Sequence, residues 1–302
     1  MELQRFPKQH MKQRFARLAA RFPGKRAFIT GASSGLGLEL ARTLAKDGWS
    51  LGLFDRNVER LAKVEADFSD LGVPLLAYPG DVTHADELTV AVNSFAATQD
   101  GLDVMINNAG VASSGDFMEI PLDDWRWILD INFLGVVHGC RAAIPHLQRN
   151  GSGLLLNVAS AAAFASAPGM SAYNATKAAV LSLSESLSVE LRDTNTQVSV
   201  VMPTFFRTGL LESFRGPQDL RVRAAALMDG SNYSATDVAH DVLRFAERGR
   251  TYIPLPASAR MLWRLKRWMP NLFLRLVTSL RERTSASATE QRVAAPQTRP
   301  LR

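Results

Sequence analysis

Short apolar runs alternate with longer amphipathic stretches along most of the chain. Strand-like runs stand at Arg26–Thr30, Ser50–Phe54, Leu75–Tyr78, Asp103–Ile106, 153–159, 197–202 and 251–254. Between them lie helical patterns: one after Gly37 (Leu38, Leu40, Ala41, Leu44, Ala45), then 57–71, 84–98, Pro121–Gln148, 170–191 and 236–248. Strands alternating with helices over this length predict an α/β fold with one parallel sheet of about seven strands covered on both faces. One helical face is interrupted: Asn132 falls among Trp127, Ile128, Ile131, Phe133, Val136 and Val137. A polar side chain there has to be satisfied, and a local kink or a bound water is the usual device.

The two ends carry a different pattern. Residues 1–23 read as a basic amphipathic helix, with Phe6, Met11, Phe15, Leu18 and Phe22 on one side and Pro23-Gly24 as its stop. Residues 258–283 read as an amphipathic helix pair broken at Pro270, its stripe including Met261, Leu262, Leu265, Trp268 and Met269, then Leu272, Phe273, Leu276 and Val277. The polar segment 284–302 is expected to be disordered. The organisation is therefore an N-terminal extension 1–24, one domain over 25–257, the helix pair and a tail.

Charge sharpens this division. Residues 1–26 carry eight Lys/Arg and one Glu, and residues 258–302 carry ten Lys/Arg and two Glu, or +7 and +8; the whole chain is +6, so the middle is −9. An acidic body argues against a nucleic-acid partner and marks the ends as separate surface devices. They suit either peripheral contact with an anionic membrane or packing on the body or a sister subunit. Cys140 is the single cysteine, which fits a reducing, cytoplasmic setting and a small buried residue. No uninterrupted apolar run reaches about 18 residues. His138 and His146 lack partners at metal-ligand spacing, so no metal site is expected.

Three stretches carry candidate chemistry. Thr30-Gly31-Ala32-Ser33-Ser34-Gly35-Leu36-Gly37 joins a strand to a helix. Glycines there let backbone N–H groups and a helix N-terminus meet a pyrophosphate; a turn for close packing is the plainer alternative. Asp55 ends the next strand, 18 residues after Gly37, where an acid meets an adenine-ribose 2′-hydroxyl. A carboxylate there repels a 2′-phosphate and favours NAD(H). Arg56 beside it pulls toward NADP(H), the second choice. The third stretch holds Ser160 after an apolar run, then Tyr173 and Lys177 four apart on one helical face. An ammonium near a phenol lowers the phenol pKa and makes an acid/base of it. The bland alternative is a core Tyr with a snorkelling Lys.

Taken together, these residues resemble the short-chain dehydrogenase/reductase (SDR) family. The pieces fall in the family's order over residues 25–255: Thr30–Gly37, Asp81, Asn107-Asn108-Ala109-Gly110, Asn132, Ser160, Tyr173-Asn174-Ala175-Thr176-Lys177, and Pro203 to Thr208. The resemblance implies a Rossmann-type doubly wound sheet and hydride transfer between a nicotinamide cofactor and an alcohol or ketone. Tyr173 would be the general acid/base and Ser160 would orient the substrate oxygen. Lys177 would lower the Tyr173 pKa and hold the nicotinamide ribose, and Asn132 would hold the helix kink and a water. Gly31, Ser33, Ser34, Gly35, Leu36 and Gly37 would hold the pyrophosphate. Asp55 and Arg56 would meet the adenine ribose, and Asp81 and Val82 the adenine. Asn108, Ala109 and Gly110 would lie beside the cofactor, with Pro203, Phe206 and Thr208 at the nicotinamide. It also implies a homodimer or homotetramer through the helices near 121–148 and 170–191.

The chain departs from the family at Pro203-Thr204, where Pro-Gly is usual. A β-branched residue resists φ > 0, so a different turn is expected there. Ala161, Phe164, Phe205, Leu210 and Leu211 are candidate substrate contacts. Their apolar character points to a fatty, steroid-like or terpenoid alcohol or ketone; plain lid and core packing explains them nearly as well. Two other classes are weighed: a catalytically silent cofactor-sensing regulator, and an isomerase or dehydratase on the same scaffold.

Overall fold

All seven strand-like runs become parallel strands of one sheet. The computed structural model describes residues 15–279. The chain runs α1 (Ala16–Arg21), β1 (Arg26–Thr30), α2 (Gly35–Lys46), β2 (Ser50–Asp55), α3 (Val58–Phe68), β3 (Leu75–Pro79), α4 (Ala85–Thr98) and β4 (Val104–Asn107). It continues through α5 (Leu122–Leu129), a π-helical turn (Asp130–Leu134), α6 (Gly135–Arg149), β5 (Gly153–Val158), α7 (Ala162–Ala165) and α8 (Ser171–Glu190). β6 (Thr196–Pro203), α9 (Gln218–Asp229), α10 (Ala235–Ala246), β7 (Tyr252–Leu255) and α11 (Ala257–Trp268) follow, and residues 270–279 are helical.

The sheet order is β3-β2-β1-β4-β5-β6-β7. The chain reverses its direction of travel between β1 and β4, so their carboxyl ends open a crevice, the usual ligand position in such sheets. α1, α2, α3 and α10 cover one face; α4, α5, α6 and α8 cover the other. Both faces being covered explains why β1, β4 and β5 are apolar without alternation: Phe28, Ile29, Val104, Ile106, Leu154 and Leu156 are all fully buried.

The Asn132 irregularity is the π-helical turn between α5 and α6. The helical run Leu122–Arg149 is long and apolar enough by composition to cross a membrane, but half of its most apolar stretch is buried inside the fold. It is a core helix with a kink. The predicted helix over 1–23 is described only from residue 15, and Phe15, Leu18 and Phe22 are buried in the body. Each such side chain stabilises the fold by about 1.5–3 kcal/mol, so this part of the apolar stripe packs on its own domain. Residues 1–14 and 280–302, including the tail expected to be disordered, lie outside the described residues. α7 and α9 fall where the sequence predicts no helix; α9 buries only Met228 and so leaves no clear apolar stripe.

Candidate active site

At the end of β1 the chain turns at Gly31 and enters α2 at Gly35, with φ values of 63° and 53°. Thr208 Oγ1 sits where a Gly35 side chain would project. Gly37 lies against the Gly31 carbonyl with no room for a Cβ. The turn is pinned from β4: Asn108 Nδ2 donates to the carbonyls of Thr30 and Gly31, both at 3.0 Å. Thr30 Oγ1 accepts the Asn108 and Ala109 N–H groups. Ser34 makes no side-chain cap on α2, and the first turn of α2 holds no acid. Its N-terminal donors therefore suit an outside anion, which is how a pyrophosphate would fit.

Asp55 ends β2 facing this loop. Its Oδ2 accepts the Ser33 N–H at 3.0 Å and its Oδ1 accepts the Asn57 N–H at 2.9 Å. Two arginines reach across the crevice. Arg56 Nη2 donates to Ser213 Oγ at 2.9 Å, and Arg60 pairs with Glu212 at 2.5 Å. This clasp draws the segment after β6 over the end of the crevice beside Asp55. Arg60 and Asn57 also line the cavity, and neither was singled out from the sequence. Their nearness to Arg56 on one helix start was the available signal.

Ser160, Tyr173 and Lys177 meet in the same cavity of about 430 Å³, with Gly31, Ser33, Ser34, Leu36, Asp55, Arg56, Asp81, Val82 and Asn108–Gly110 along its walls. Gly35, Gly37 and Asn132 stand behind the wall. Tyr173 and Lys177 are buried on α8. Lys177 Nζ donates to the Val158 carbonyl at 3.0 Å and lies 5.8 Å from the centre of the Tyr173 ring. Burial pushes the Lys177 ammonium down to about 8. Burial also pushes the Tyr173 phenol up, opposed by its hydrogen bond with Ser160. Lys177 is expected to lower the Tyr173 pKa, but desolvation is the larger effect and the net direction is upward. Ser160 Oγ accepts the Ala162 N–H at 3.1 Å, which fixes the hydroxyl at the start of α7.

Asn132 is fully buried in the π-turn. Its Nδ2 donates to Thr176 Oγ1 at 3.3 Å, tying the kink to α8 beside Lys177. Deeper in the sheet, Asn107 Nδ2 donates to Asn157 Oδ1 at 2.8 Å, joining β4 to β5. Burial pushes the Cys140 thiol up to about 12, so it is no nucleophile. His138 Nδ1 meets the Val82 carbonyl and His146 Nε2 meets Asn93. Among the described residues no group of three His, Cys, Asp or Glu is placed to hold a metal.

Much of the remaining cavity wall is apolar. Pro203 at the end of β6, Phe205, Phe206, Leu210 and Leu211 after it, Ala161 just before α7 and Phe164 on α7 all line it, with Thr208 against Gly35. Met170 and Leu262 line it as well; Leu262 comes from α11 and was not foreseen as a site residue. Thr204 settles the turn after β6 without positive φ. Its N–H donates to the Leu255 carbonyl at 2.9 Å, and the Ala161 N–H donates to the Pro203 carbonyl at 2.8 Å. A glycine is not needed for this path.

Residues 25–219 match the short chain dehydrogenase family, and the chain belongs to it. An uncharacterized oxidoreductase of Staphylococcus aureus (strain USA300) is 30% identical over 216 residues, 72% of this chain and 93% of that one. A short chain dehydrogenase/reductase from Burkholderia phymatum, solved in complex with NAD, superposes with a TM-score of 0.79 at 28% identity, covering 83% of this chain and 96% of that one. An alcohol dehydrogenase from Thermococcus sibiricus, complexed with 5-hydroxy-NADP, gives a TM-score of 0.67 at 25% identity, covering 76% and 94%.

Proposed function

We propose that this chain is a nicotinamide-dependent oxidoreductase that interconverts an apolar alcohol and its ketone, with NAD(H) preferred. One observation carries the reading: Ser160, Tyr173 and Lys177 open into the same cavity as the glycine turn and Asp55. The solved relatives that hold NAD or 5-hydroxy-NADP support a nicotinamide cofactor in that crevice.

The bound cofactor supplies or accepts the hydride. The chain's own residues do the rest. The uncapped N-terminus of α2 and the Gly31–Gly37 turn bind the pyrophosphate. Asp55 accepts hydrogen bonds from ribose hydroxyls and repels a 2′-phosphate. Asp81 and Val82 bound the adenine, and Thr208 and Phe206 stand at the nicotinamide end. Ser160 donates to the substrate oxygen and fixes its position against Tyr173. In reduction, the Tyr173 hydroxyl gives its proton to the carbonyl oxygen. In oxidation, the phenolate takes the alcohol proton. Burial holds the phenol protonated, the form reduction requires. Lys177 binds the nicotinamide ribose beside Tyr173, held in place by the Val158 carbonyl. Asn132 fixes the loop behind them. The apolar wall excludes water and selects a fatty, steroid-like or terpenoid substrate.

Titration with NADH and NADPH, followed by nicotinamide fluorescence, tests the reading in wild type and Asp55→Ala. Tighter NADH binding that Asp55→Ala erases supports it. Preference for NADPH in wild type overturns the choice of cofactor, and binding of neither overturns the enzyme reading. Alcohol oxidation and ketone reduction screens with the preferred cofactor follow.

A further inference from the structure

The helical hairpin formed by α11 and residues 270–279 is attached to the domain by one side only. Ala259 and Phe273 are buried, and the Trp263 ring lies 4.9 Å from that of Tyr252 on β7. Lys266 closes the hairpin over the Phe273 ring at 5.4 Å. Leu265 and Val277 are half-buried, and the other large apolar side chains face outward. Met261 is 70% exposed, Trp268 82% and Met269 51%, and Leu262, Leu272 and Leu276 are also exposed. With Leu274 they make seven between residues 261 and 276; isolated exposed apolar residues are ordinary, but seven in so short a segment mark a contact surface.

Charge indicates what the surface meets. Residues 257–279 carry Arg260, Arg264, Lys266, Arg267 and Arg275 and no Asp or Glu. Among the described residues none of these five cations forms an ion pair, although the body is acidic. Arg260, Lys266 and Arg267 lie over the rings of Phe245, Phe273 and Trp263, so their charge stays without a counter-ion; bulky apolar groups interleaved with such cations, with an exposed Trp among them, match the headgroup region of an anionic bilayer. A nucleic acid would use the cations and leave the apolar groups in water.

The surface is continuous with the cavity. Leu262 is exposed on the hairpin and also lines the cavity. We propose that the hairpin 257–279 docks on an anionic lipid bilayer and sets the mouth of the cavity, at Leu262, against it, so that an apolar substrate enters from the lipid. The docking rests on the surface alone. The entry route rests on reading the apolar wall of the cavity as the substrate site.

Flotation of the full chain with phosphatidylcholine vesicles, with and without phosphatidylglycerol, tests the docking. Wild type should float with the anionic vesicles and bind them at least about tenfold more weakly when phosphatidylglycerol is omitted. The triple variant Met261→Ser/Trp268→Ser/Leu272→Ser and the double variant Arg264→Gln/Arg275→Gln should each lose about tenfold or more in vesicle affinity. All these positions are exposed, so NADH binding and thermal unfolding should stay as in wild type, which shows that the fold is intact. Absence of flotation in wild type overturns the proposal. So does flotation that survives both variants, which puts the contact elsewhere on the chain. A wild-type dimer that the apolar variant dissociates, without lipid binding, shows that a second copy covers this face and also overturns it. Flotation needs no cofactor, so failure of wild type to bind NADH would count against the enzyme reading and leave the docking standing. The entry route predicts that anionic vesicles raise turnover of a lipid-dissolved ketone in wild type and not in the apolar variant. Equal stimulation of both removes the route.

Discussion

Asn132 engages both backbone polar groups of Val111: its Oδ1 accepts the Val111 N–H at 2.8 Å and its Nδ2 donates to the Val111 carbonyl at 2.9 Å. Val111 follows Asn108-Ala109-Gly110 directly, so a side chain in the π-turn sets the loop on the floor of the crevice. Removing it strands a buried donor and acceptor, each worth about 1–3 kcal/mol. Asn132→Ala should therefore lose about 2–4 kcal/mol of stability. It should also weaken cofactor binding although Asn132 does not line the cavity. Denaturant unfolding measures the first effect; a loss within ~0.5 kcal/mol, the range of ordinary surface changes, would refute the bridge.

Lys177 gives a pH-dependent test. Burial lowers its folded-state pKa from 10.5 to about 8. Between those values the unfolded chain binds a proton that the folded chain does not, so this group makes stability rise with pH across that window. Below about 8 the wild type carries the full cost of a buried ammonium, on the order of 3 kcal/mol. Lys177→Met should thus be more stable than wild type near neutral pH. The advantage should shrink from pH 8 upward and reverse by about 10.5. A stability difference that does not change with pH would sink the assignment.

Tyr173→Phe keeps the buried ring and removes the acid. Turnover should fall by about 10²–10⁴-fold, the range for a positioned acid/base. NADH binding should stay within about twofold, because binding energy that serves only the reacting state leaves ground-state affinity alone. Steady-state kinetics beside fluorescence titration separates the two; retained turnover would remove Tyr173 from its role.

The clasp predicts a change in cofactor choice. Glu212 neutralises Arg60 across the crevice, and both side chains are about half exposed, so the pair contributes below about 1 kcal/mol. Glu212→Gln frees the guanidinium for a 2′-phosphate. The NADPH-to-NADH affinity ratio should rise by about fivefold, matching ~1 kcal/mol. Arg60→Gln in the same background should erase the gain. An unchanged ratio in Glu212→Gln would show that Arg60 does not reach the cofactor.

Much of this molecule can be read from local pattern. The strands are legible because strands covered on both faces must be continuously apolar, and the helix between residues 121 and 148 because its stripe repeats. Asn132 announced a kink, since a polar residue on a buried face needs one. Ser160, Tyr173, Lys177, the glycine turn and Asp55 were identifiable because each sits at a fixed offset from a strand end or helix start, and the sheet topology carries all of those ends to one edge. α7 and α9 were missed for the opposite reason: α7 is a single turn, and α9 buries only Met228.

What the sequence determined by itself, then, was the alternating fold, the order of its elements and the types of side chain at the crevice, because these depend on patterns within a few turns of chain. The tertiary structure alone decided the partners: Arg60 with Glu212, 152 residues apart, Leu262 of α11 on the wall of the cavity, and the packing of Phe15, Leu18 and Phe22 on their own domain. It also decided the direction of the Tyr173 shift. Burial and cross-crevice pairing arise from surfaces that meet only once the sheet has closed, and the cost of taking a phenol or an ammonium out of water depends on everything packed around it.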